Sequence, residues 1–238
     1  MVIWRCEDFI STTFADYLIT KSSHHQIKNM QLTIFGPTGS VGKQLVQQAL
    51  FKGYKVKAYG RNVFTQDLPK DDNLELIHGT LFDENEVYKA IKGSDAVLSA
   101  LDGGTDGTDK SRSLGMKNII KQMDKANVKR IIAVSGFGIL NAADDTYLFS
   151  DTDFPPALLP VSEEHFKAYE LLKASSLNWT LVCCPEIIDK SATGLFTTNA
   201  TYPPAINTNK IYSGDVALFM INELTAAGHN KERVGISN

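Results

Sequence analysis

Short apolar runs alternate with amphipathic stretches along the chain from residue 30 onward. Runs of β-branched and aromatic residues predict strands, and apolar positions recurring every three or four residues predict helices. The predicted strands span residues 32–35, 55–59, 74–77, 96–101, 130–134, 179–183 and 233–236. The predicted helices span residues 41–52, 84–91, 113–126, 162–174 and 215–224, with Ser40 and Ser213 placed to cap the first and the last. This alternation predicts an α/β fold with a parallel sheet covered by helices on both faces.

Residues 141–160 and 191–209 show neither the apolar runs of strands nor the helical spacing of apolar residues. Both stretches follow strands, at the edge of the sheet where α/β proteins bind ligands. We expect them to form walls of a substrate pocket, in a single domain with a small C-terminal substrate-side region. Six aromatic residues in or near these loops either form a stacking wall for a flat ligand or pack locally: Phe137, Tyr147, Phe149, Phe154, Phe196 and Tyr202.

The first predicted strand leads into a glycine turn with the spacing G-x-x-G-x-x-G, formed by Gly36, Gly39 and Gly42. In a dinucleotide-binding turn, the first glycine permits the tight turn and the second lets a pyrophosphate approach the backbone. The third permits close packing of helix against strand. The free N–H groups and the positive dipole end of the next helix then face the phosphates. The order strand, glycine turn and helix favours a Rossmann-type, doubly wound nucleotide-binding domain over a tight turn without a ligand.

Arg61 lies just after the second predicted strand. Domains that prefer NAD usually carry a carboxylate near this point, which accepts hydrogen bonds from the ribose hydroxyls. A guanidinium can instead pair with a 2′-phosphate, so the sequence favours NADP over NAD, although NAD stays possible. The alternative is a surface arginine with no ligand.

Composition and charge exclude several functional classes. The net charge is 24 − 27 = −3 without a conspicuous basic cluster, which argues against nucleic-acid binding. No apolar run approaches the length of a membrane span. Cys6, Cys183 and Cys184 provide no disulfide framework, which favours a reducing, cytoplasmic location. The adjacent His24 and His25 lack further ligands, so we predict no metal site.

Several segments resemble the atypical short-chain dehydrogenase/reductase group, and within it the biliverdin-IXβ reductase/flavin reductase family and its bacterial NAD(P)H-binding relatives. The matching segments are TIFGPTGSVGKQLV, GSDAVLSAL, VKRIIAVSGFGIL, FPPALLPVSEEHFKAYELLKASSLNWTLVCCPEI and the helix from Asp215. The resemblance covers about residues 31–236. It implies an NAD(P)-binding Rossmann domain in residues 30–238. We expect residues 1–29, which form a poor signal peptide, to be a peripheral N-terminal extension of unknown role.

The resemblance also implies roles for individual residues. Pyrophosphate contacts are implied for Gly36, Gly39, Ser40, Val41 and Gly42, and a cofactor contact is implied for Thr38. Further cofactor contacts are implied for Arg61, Leu101, Asp102, Gly103, Ser135 and Pro185, and Ser135 matches the family's active-site serine beside the nicotinamide. Glu186 replaces a family active-site histidine, which argues against biliverdin as the natural substrate. A carboxylate there can accept a proton or, if buried, donate one.

Tyr169 and Lys173 have the Y-x-x-x-K spacing of the acid/base pair in typical short-chain dehydrogenases. Alignment on the downstream segment instead places the family's tyrosine and lysine at Val161 and His165. We therefore interpret the Tyr169/Lys173 spacing as a coincidence two helical turns too late. His165 is either a weak proton donor or a histidine at the edge of the pocket.

The sequence thus predicts an NAD(P)H-dependent oxidoreductase, preferring NADPH, that passes hydride to a flat small-molecule acceptor such as flavin or quinone. Its candidate catalytic residues are Ser135, Glu186 and His165. The alternative is an NADP(H)-binding redox sensor of the NmrA type, which regulates a partner without turnover. A structural or epimerase-like use of the nucleotide is less favoured, because few residues follow Cys184. A monomer or a homodimer is expected.

Overall fold

An eight-stranded sheet forms the centre of the structure, a computed structural model that describes residues 30–65 and 67–238. The predicted extension, residues 1–29, lies outside the described residues. The strands are β1 (Gln31–Phe35), β2 (Lys55–Gly60), β3 (Leu74–His78), β4 (Ala96–Ser99), β5 (Arg130–Gly136), β6 (Asn178–Cys184), β7 (Glu186–Ile188), β8 (Thr197–Ala200), β9 (Lys210–Tyr212) and β10 (Glu232–Ser237). The helices are α1 (Ser40–Phe51), α2 (Glu84–Ile91), α3 (Ser111–Ala126), α4 (Leu159–Lys173) and α5 (Ser213–Ala226).

The strand order is β3-β2-β1-β4-β5-β6-β10-β8, and every pairing is parallel except that of β8 with β10. The order reverses between β1 and β4, which opens a crevice at the carboxyl ends of these strands. β7 and β9 pair separately as a small parallel sheet beside this edge. The predicted Rossmann-type α/β fold is therefore confirmed.

Helices cover both faces of the sheet, because alternate residues of each strand point to opposite sides. In β1, Leu32 and Ile34 pack with residues of α1 and α5, whereas Phe35 packs with residues of α2, α3 and α4. Both cores consist mainly of fully buried aliphatic side chains. These two cores pack the helices against the sheet and thereby fix the positions of the strand ends that form the crevice. No helix in the described part of the chain has the length and apolar character needed to cross a membrane.

Several predicted boundaries differ from the structure. The fourth strand ends at Ser99 rather than at residue 101, which releases Leu101 toward the crevice. The predicted caps were wrong, because Ser40 and Ser213 are the first helical residues and Gly39 and Tyr212 occupy the cap positions. The hydroxyl of Ser213 bonds to the loop at Asp189 and Lys190 instead.

The two stretches predicted as irregular contain short elements. Residues 141–160 include two 3₁₀ turns and the start of α4, and Pro160 lies in the first turn of that helix. Residues 191–209 contain β8, whose central residues Thr198 and Asn199 are exposed. This strand forms by pairing with the edge strand β10. Its polar sequence carries no apolar alternation, which explains why the pattern did not indicate it.

Candidate nucleotide-binding and active site

Two adjoining cavities lie at the carboxyl ends of the parallel strands. One, of about 260 Å³, is lined by the glycine turn, by Gly60, Arg61 and Asn62 after β2, and by residues 80–82 after β3; we name it the Arg61 cavity. The other, of about 430 Å³, lies over the ends of β4, β5 and β6 and is named the Ser135 cavity. The two share the lining residues Gly39, Ala100, Leu101 and Asp102. Together they form one continuous cleft that crosses the crevice.

The glycine turn lies where the two cavities meet. Gly36 has a φ of +73°, and a Cβ on Gly42 would lie 1.9 Å from the carbonyl oxygen of Gly36. A Cβ on Gly39 would find no heavy atom closer than 3.8 Å, so its open side faces the cleft. Within residues 30–65 and 67–238, no side chain caps the first turn of α1. An uncapped helix N-terminus beside a position without Cβ fits the pyrophosphate of a dinucleotide.

The other residues assigned to the cofactor, except Gly103, are brought to the same cleft. Thr38 and the exposed Arg61 line the Arg61 cavity, Ser40, Val41 and Pro185 line the Ser135 cavity, and Leu101 and Asp102 line both. Phe82, whose ring is exposed, also lines the Arg61 cavity, and no sequence pattern indicated it. Gly103 lines neither cavity, and its carbonyl oxygen accepts a hydrogen bond from an arginine in α3.

That arginine, Arg112, was missed by the sequence analysis. Its Nη2 lies 2.7 Å from Oδ1 of Asp102 and donates to the carbonyl oxygen of Gly103 at 3.0 Å. Its Nη1 donates to the carbonyl oxygen of Gly104 at 2.9 Å. The guanidinium is buried and lines the Ser135 cavity. Arg112 therefore fixes the loop after β4 along the cleft, including the exposed carboxylate of Asp102.

Two candidate catalytic residues are in contact inside the Ser135 cavity. The hydroxyl of Ser135, which is buried at the end of β5, lies 3.2 Å from Nδ1 of His165 on α4. Burial, with a smaller contribution from the positive charge of Arg112, lowers the pKa of His165 to about 3. The imidazole is therefore neutral at physiological pH, which disfavours proton donation by an imidazolium and suits a hydrogen bond that orients Ser135.

Glu186 begins β7 and also lines the Ser135 cavity. Its side chain is 63% exposed, and one carboxylate oxygen lies 3.9 Å from Nζ of Lys210. The burial that a proton-donating role would require is absent. A role for this carboxylate in accepting protons or in contacting an acceptor stays a prediction.

Most of the six loop aromatics pack locally, which is the second of the two alternatives left open by the sequence. Phe137 lines the Ser135 cavity, backed by Phe154 at a ring-centroid distance of 5.5 Å. Tyr147 and Phe149 stack on each other and pack against Phe166 of α4. Phe196 packs on Phe219, and the hydroxyl of Tyr202 bonds to Asp145. These rings hold the loops in place, and only Phe137 of the six is placed to contact a ligand in the Ser135 cavity.

Tyr169 and Lys173 lie outside both cavities. Tyr169 is buried against Trp179, with ring centroids 5.8 Å apart, and Nζ of Lys173 lies 5.5 Å from the centre of the tyrosine ring. Val161 and His165, the positions given by the alignment, both line the Ser135 cavity. The helix therefore presents its earlier turns to the site.

Tyr169→Phe is expected to change kcat/KM for NADPH oxidation by less than about twofold, because a hydroxyl outside the cavity cannot transfer a proton to a bound acceptor. The measurement is steady-state NADPH oxidation with a fixed acceptor. Phe166→Leu, in the same aromatic cluster, is the matched control for effects on packing. A loss of several hundred-fold in Tyr169→Phe alone would give this tyrosine a chemical role.

His165→Gln is expected to make the stability of the protein less sensitive to acid. The pKa of His165 is lowered in the folded state, so the unfolded state takes up this proton first as the pH falls below about 6.5. The contribution of the neutral His165 to the free energy of unfolding is thus fully present above that pH and is lost toward pH 3. Urea midpoints at pH 7 and pH 5 should differ less in His165→Gln than in the wild type. His78→Gln, at an exposed position on β3, should reproduce the wild-type difference, and an equal acid sensitivity in all three proteins would contradict the neutral imidazole of His165.

Comparison with known proteins also indicates NAD(P)H binding. A family model described as NAD(P)H-binding matches residues 36–227. The photosystem II assembly factor Ycf39 of Trieres chinensis is 32% identical over 109 residues, which are 44% of this chain and 34% of that protein. Dihydroflavonol 4-reductase of Solanum lycopersicum is 28% identical over 216 residues, which cover 78% of this chain and 55% of the enzyme. The chain thus spans about a third to a half of the length of these two relatives.

The fold also matches a crystal structure of a predicted NADH-flavin reductase from Streptococcus pneumoniae. The TM-score is 0.76 at 24% sequence identity, covering 88% of this chain and 99% of that one. The matched family model spans the glycine turn, Arg61, Ser135 and Glu186. The chain belongs to the NAD(P)H-binding family, as the resemblance implied, and it shares its fold with this neighbour.

Proposed function

We propose that this protein is an NADPH-dependent reductase that passes hydride to a flat acceptor such as a flavin or a quinone. The observation that carries the proposal is the continuous cleft from Arg61, past the open face of Gly39, to Ser135. In this arrangement Arg61 pairs with the adenosine 2′-phosphate, and Gly39 with the first turn of α1 holds the pyrophosphate. The nicotinamide and the acceptor share the Ser135 cavity. Bound NADPH supplies the hydride.

The residues of the Ser135 cavity support an acceptor that needs no dedicated protein acid. Reduction of a carbonyl requires a proton at the oxygen, and the tyrosine of the Y-x-x-x-K spacing lies outside the cavity. A flavin or quinone takes the hydride directly, and the accompanying proton comes from water. Proximity of two flat rings then provides much of the rate. Leu101, Val134 and Phe137 supply apolar surface for such rings, and Ser135, oriented by His165, donates or accepts one hydrogen bond.

Steady-state oxidation of NADPH, with and without FMN or a benzoquinone, tests this function. Saturable oxidation that depends on both the acceptor and the protein is the expected result. Tight binding of NADPH without oxidation across flavins and quinones would overturn it and leave the NADP(H)-binding sensor. The cytoplasmic location and the oligomeric state, monomer or homodimer, stay predictions.

A further inference from the structure

A third cavity, of about 200 Å³, adjoins the Ser135 cavity and has no role in the site described above. We name it the Leu148 cavity. Phe137 and Pro185 line both cavities, so the two are direct neighbours. The remaining apolar lining comes from Leu140, Leu148, Pro203, Pro204 and Ile236, with Cys183 beneath. Among the residues that the structure describes, no charged side chain lines it, and Asn207 and Asn209 form its polar wall.

The three cavities follow the strand order along one edge of the sheet. The Arg61 cavity lies at the ends of β2 and β1, the Ser135 cavity at the ends of β4 to β6, and the Leu148 cavity at the ends of β6 and β10. A dinucleotide occupying the first two would place its nicotinamide in the second. The third cavity therefore lies on the acceptor side, beyond the nicotinamide.

The walls of the Leu148 cavity are held in place by contacts between distant loops. The backbone N–H of Asn141 donates to the carbonyl oxygen of Thr201 at 2.9 Å. Arg233 binds the carbonyl oxygen of Ile139 and, at 2.8 Å, Oδ1 of Asn141. Pro203 and Pro204 further restrict the backbone on one side. The cavity is thus formed in advance, as is usual for small-molecule sites.

We propose that the acceptor carries an apolar hydrocarbon chain, which occupies the Leu148 cavity while its flat ring lies in the Ser135 cavity. The inference rests on the proposed reductase function and narrows the acceptor to an alkylated quinone-like ring in preference to a flavin, whose side chain is polar. An apolar wall without charges favours such a chain by the hydrophobic effect, by about fourfold in affinity for each fully buried methylene.

Two benzoquinones that share one ring, one without a chain and one with a pentyl chain, test the inference. In the wild type, the KM of the pentyl compound should be at least about tenfold lower. Calorimetric titration of the NADP⁺-saturated protein should show the same preference in Kd. Leu148→Asp and Leu148→Trp should both bring the ratio of the two KM values toward one, by introducing a charge or by filling the cavity. Leu148 is half-buried, so neither change enters the deep core.

Leu224→Asp is the matched control, because this half-buried leucine lies near the end of α5 and lines none of the three cavities. It should leave the preference for the pentyl compound unchanged. Equal KM and Kd values for the two compounds in the wild type would overturn the chain site while the reductase function stands. If neither compound supports NADPH oxidation, these quinones are not acceptors, and oxidation with FMN decides whether the reductase function stands. The titration then decides separately whether the cavity binds the chain, and equal Kd values would again overturn it.

Discussion

Gly39→Ala is expected to weaken cofactor binding strongly while leaving the fold intact. Gly39 has φ −74° and ψ 170°, a conformation that alanine adopts readily, and its added Cβ would contact nothing closer than 3.8 Å. Alanine reduces the conformational freedom of the unfolded chain, which stabilises the variant. Alanine also caps α1 less well than glycine, which destabilises the variant. The free energy of unfolding should therefore change by less than about 1 kcal/mol. The methyl group would nevertheless stand where the pyrophosphate approaches, so NADPH affinity should fall at least about 100-fold, by analogy with other lost charged contacts.

Gly42→Ala provides the contrasting result. Its Cβ would lie 1.9 Å from the carbonyl oxygen of Gly36 and 2.8 Å from the Cα of Pro37, and both of these atoms belong to the backbone. The turn would have to move, so we expect a stability loss of about 3 kcal/mol together with weaker binding. Gly228→Ala, at a glycine remote from the cleft with a nearest contact of 3.7 Å, is the control for both measurements.

Urea unfolding and calorimetric titration with NADPH separate the three variants. If Gly39→Ala binds NADPH like the wild type, the glycine turn does not hold the pyrophosphate. If it unfolds as readily as Gly42→Ala, the open geometry at Gly39 is incorrect.

Arg61→Ala is expected to weaken NADPH binding about 10- to 100-fold and to change NADH binding by less than about twofold. The range corresponds to the loss of hydrogen bonds to a charged phosphate, about 1.5–3 kcal/mol. NADH lacks that phosphate and therefore should not respond. Because Arg61 is exposed, the preference for NADPH in the wild type should shrink as ionic strength rises.

Lys55→Ala is the matched control for Arg61→Ala, because it removes an exposed cation from the opposite end of β2. It should leave both affinities unchanged. Equal loss of NADPH and NADH binding in Arg61→Ala would show that the guanidinium contacts a part of the cofactor common to both, and the assignment of NADP specificity would fail.

Local sequence patterns were sufficient to predict the parallel strands of the sheet and the glycine turn. The apolar run before Gly36 and the helical spacing after Gly42 each belong to one continuous segment, so their structure depends on near neighbours in the chain. The same holds for the placement of Ser135 at the end of β5, because a strand end fixes the position of its last side chain. Arg61 follows β2 for the same reason.

The parts that escaped prediction depend on contacts between distant segments. Arg112 lies at the start of α3, but its burial depends on hydrogen bonds with a loop eight to ten residues away. β8 forms by antiparallel pairing with β10, which is distant from it in the sequence. The Leu148 cavity requires the loop near residue 140 to meet residues 203–209, and no spacing in the sequence indicates that meeting. Tyr147 and Phe149 pack on Phe166 of α4, which likewise depends on contacts between distant segments.

The most direct test of the proposed reductase is a single-turnover experiment with the protein in excess over NADPH and FMN. After rapid mixing, the absorbance of the reduced nicotinamide and that of the oxidised flavin are followed together. We expect both to decay with one rate constant, and that constant to fall several-fold when the transferred hydrogen of NADPH is deuterium. The same experiment with a benzoquinone should give the same pattern for the nicotinamide signal. Hydride transfer in the Ser135 cavity would be contradicted if bound NADPH persisted in both experiments. The absorbance of the reduced nicotinamide would then stay constant with either acceptor, and that of the oxidised flavin would stay constant with FMN.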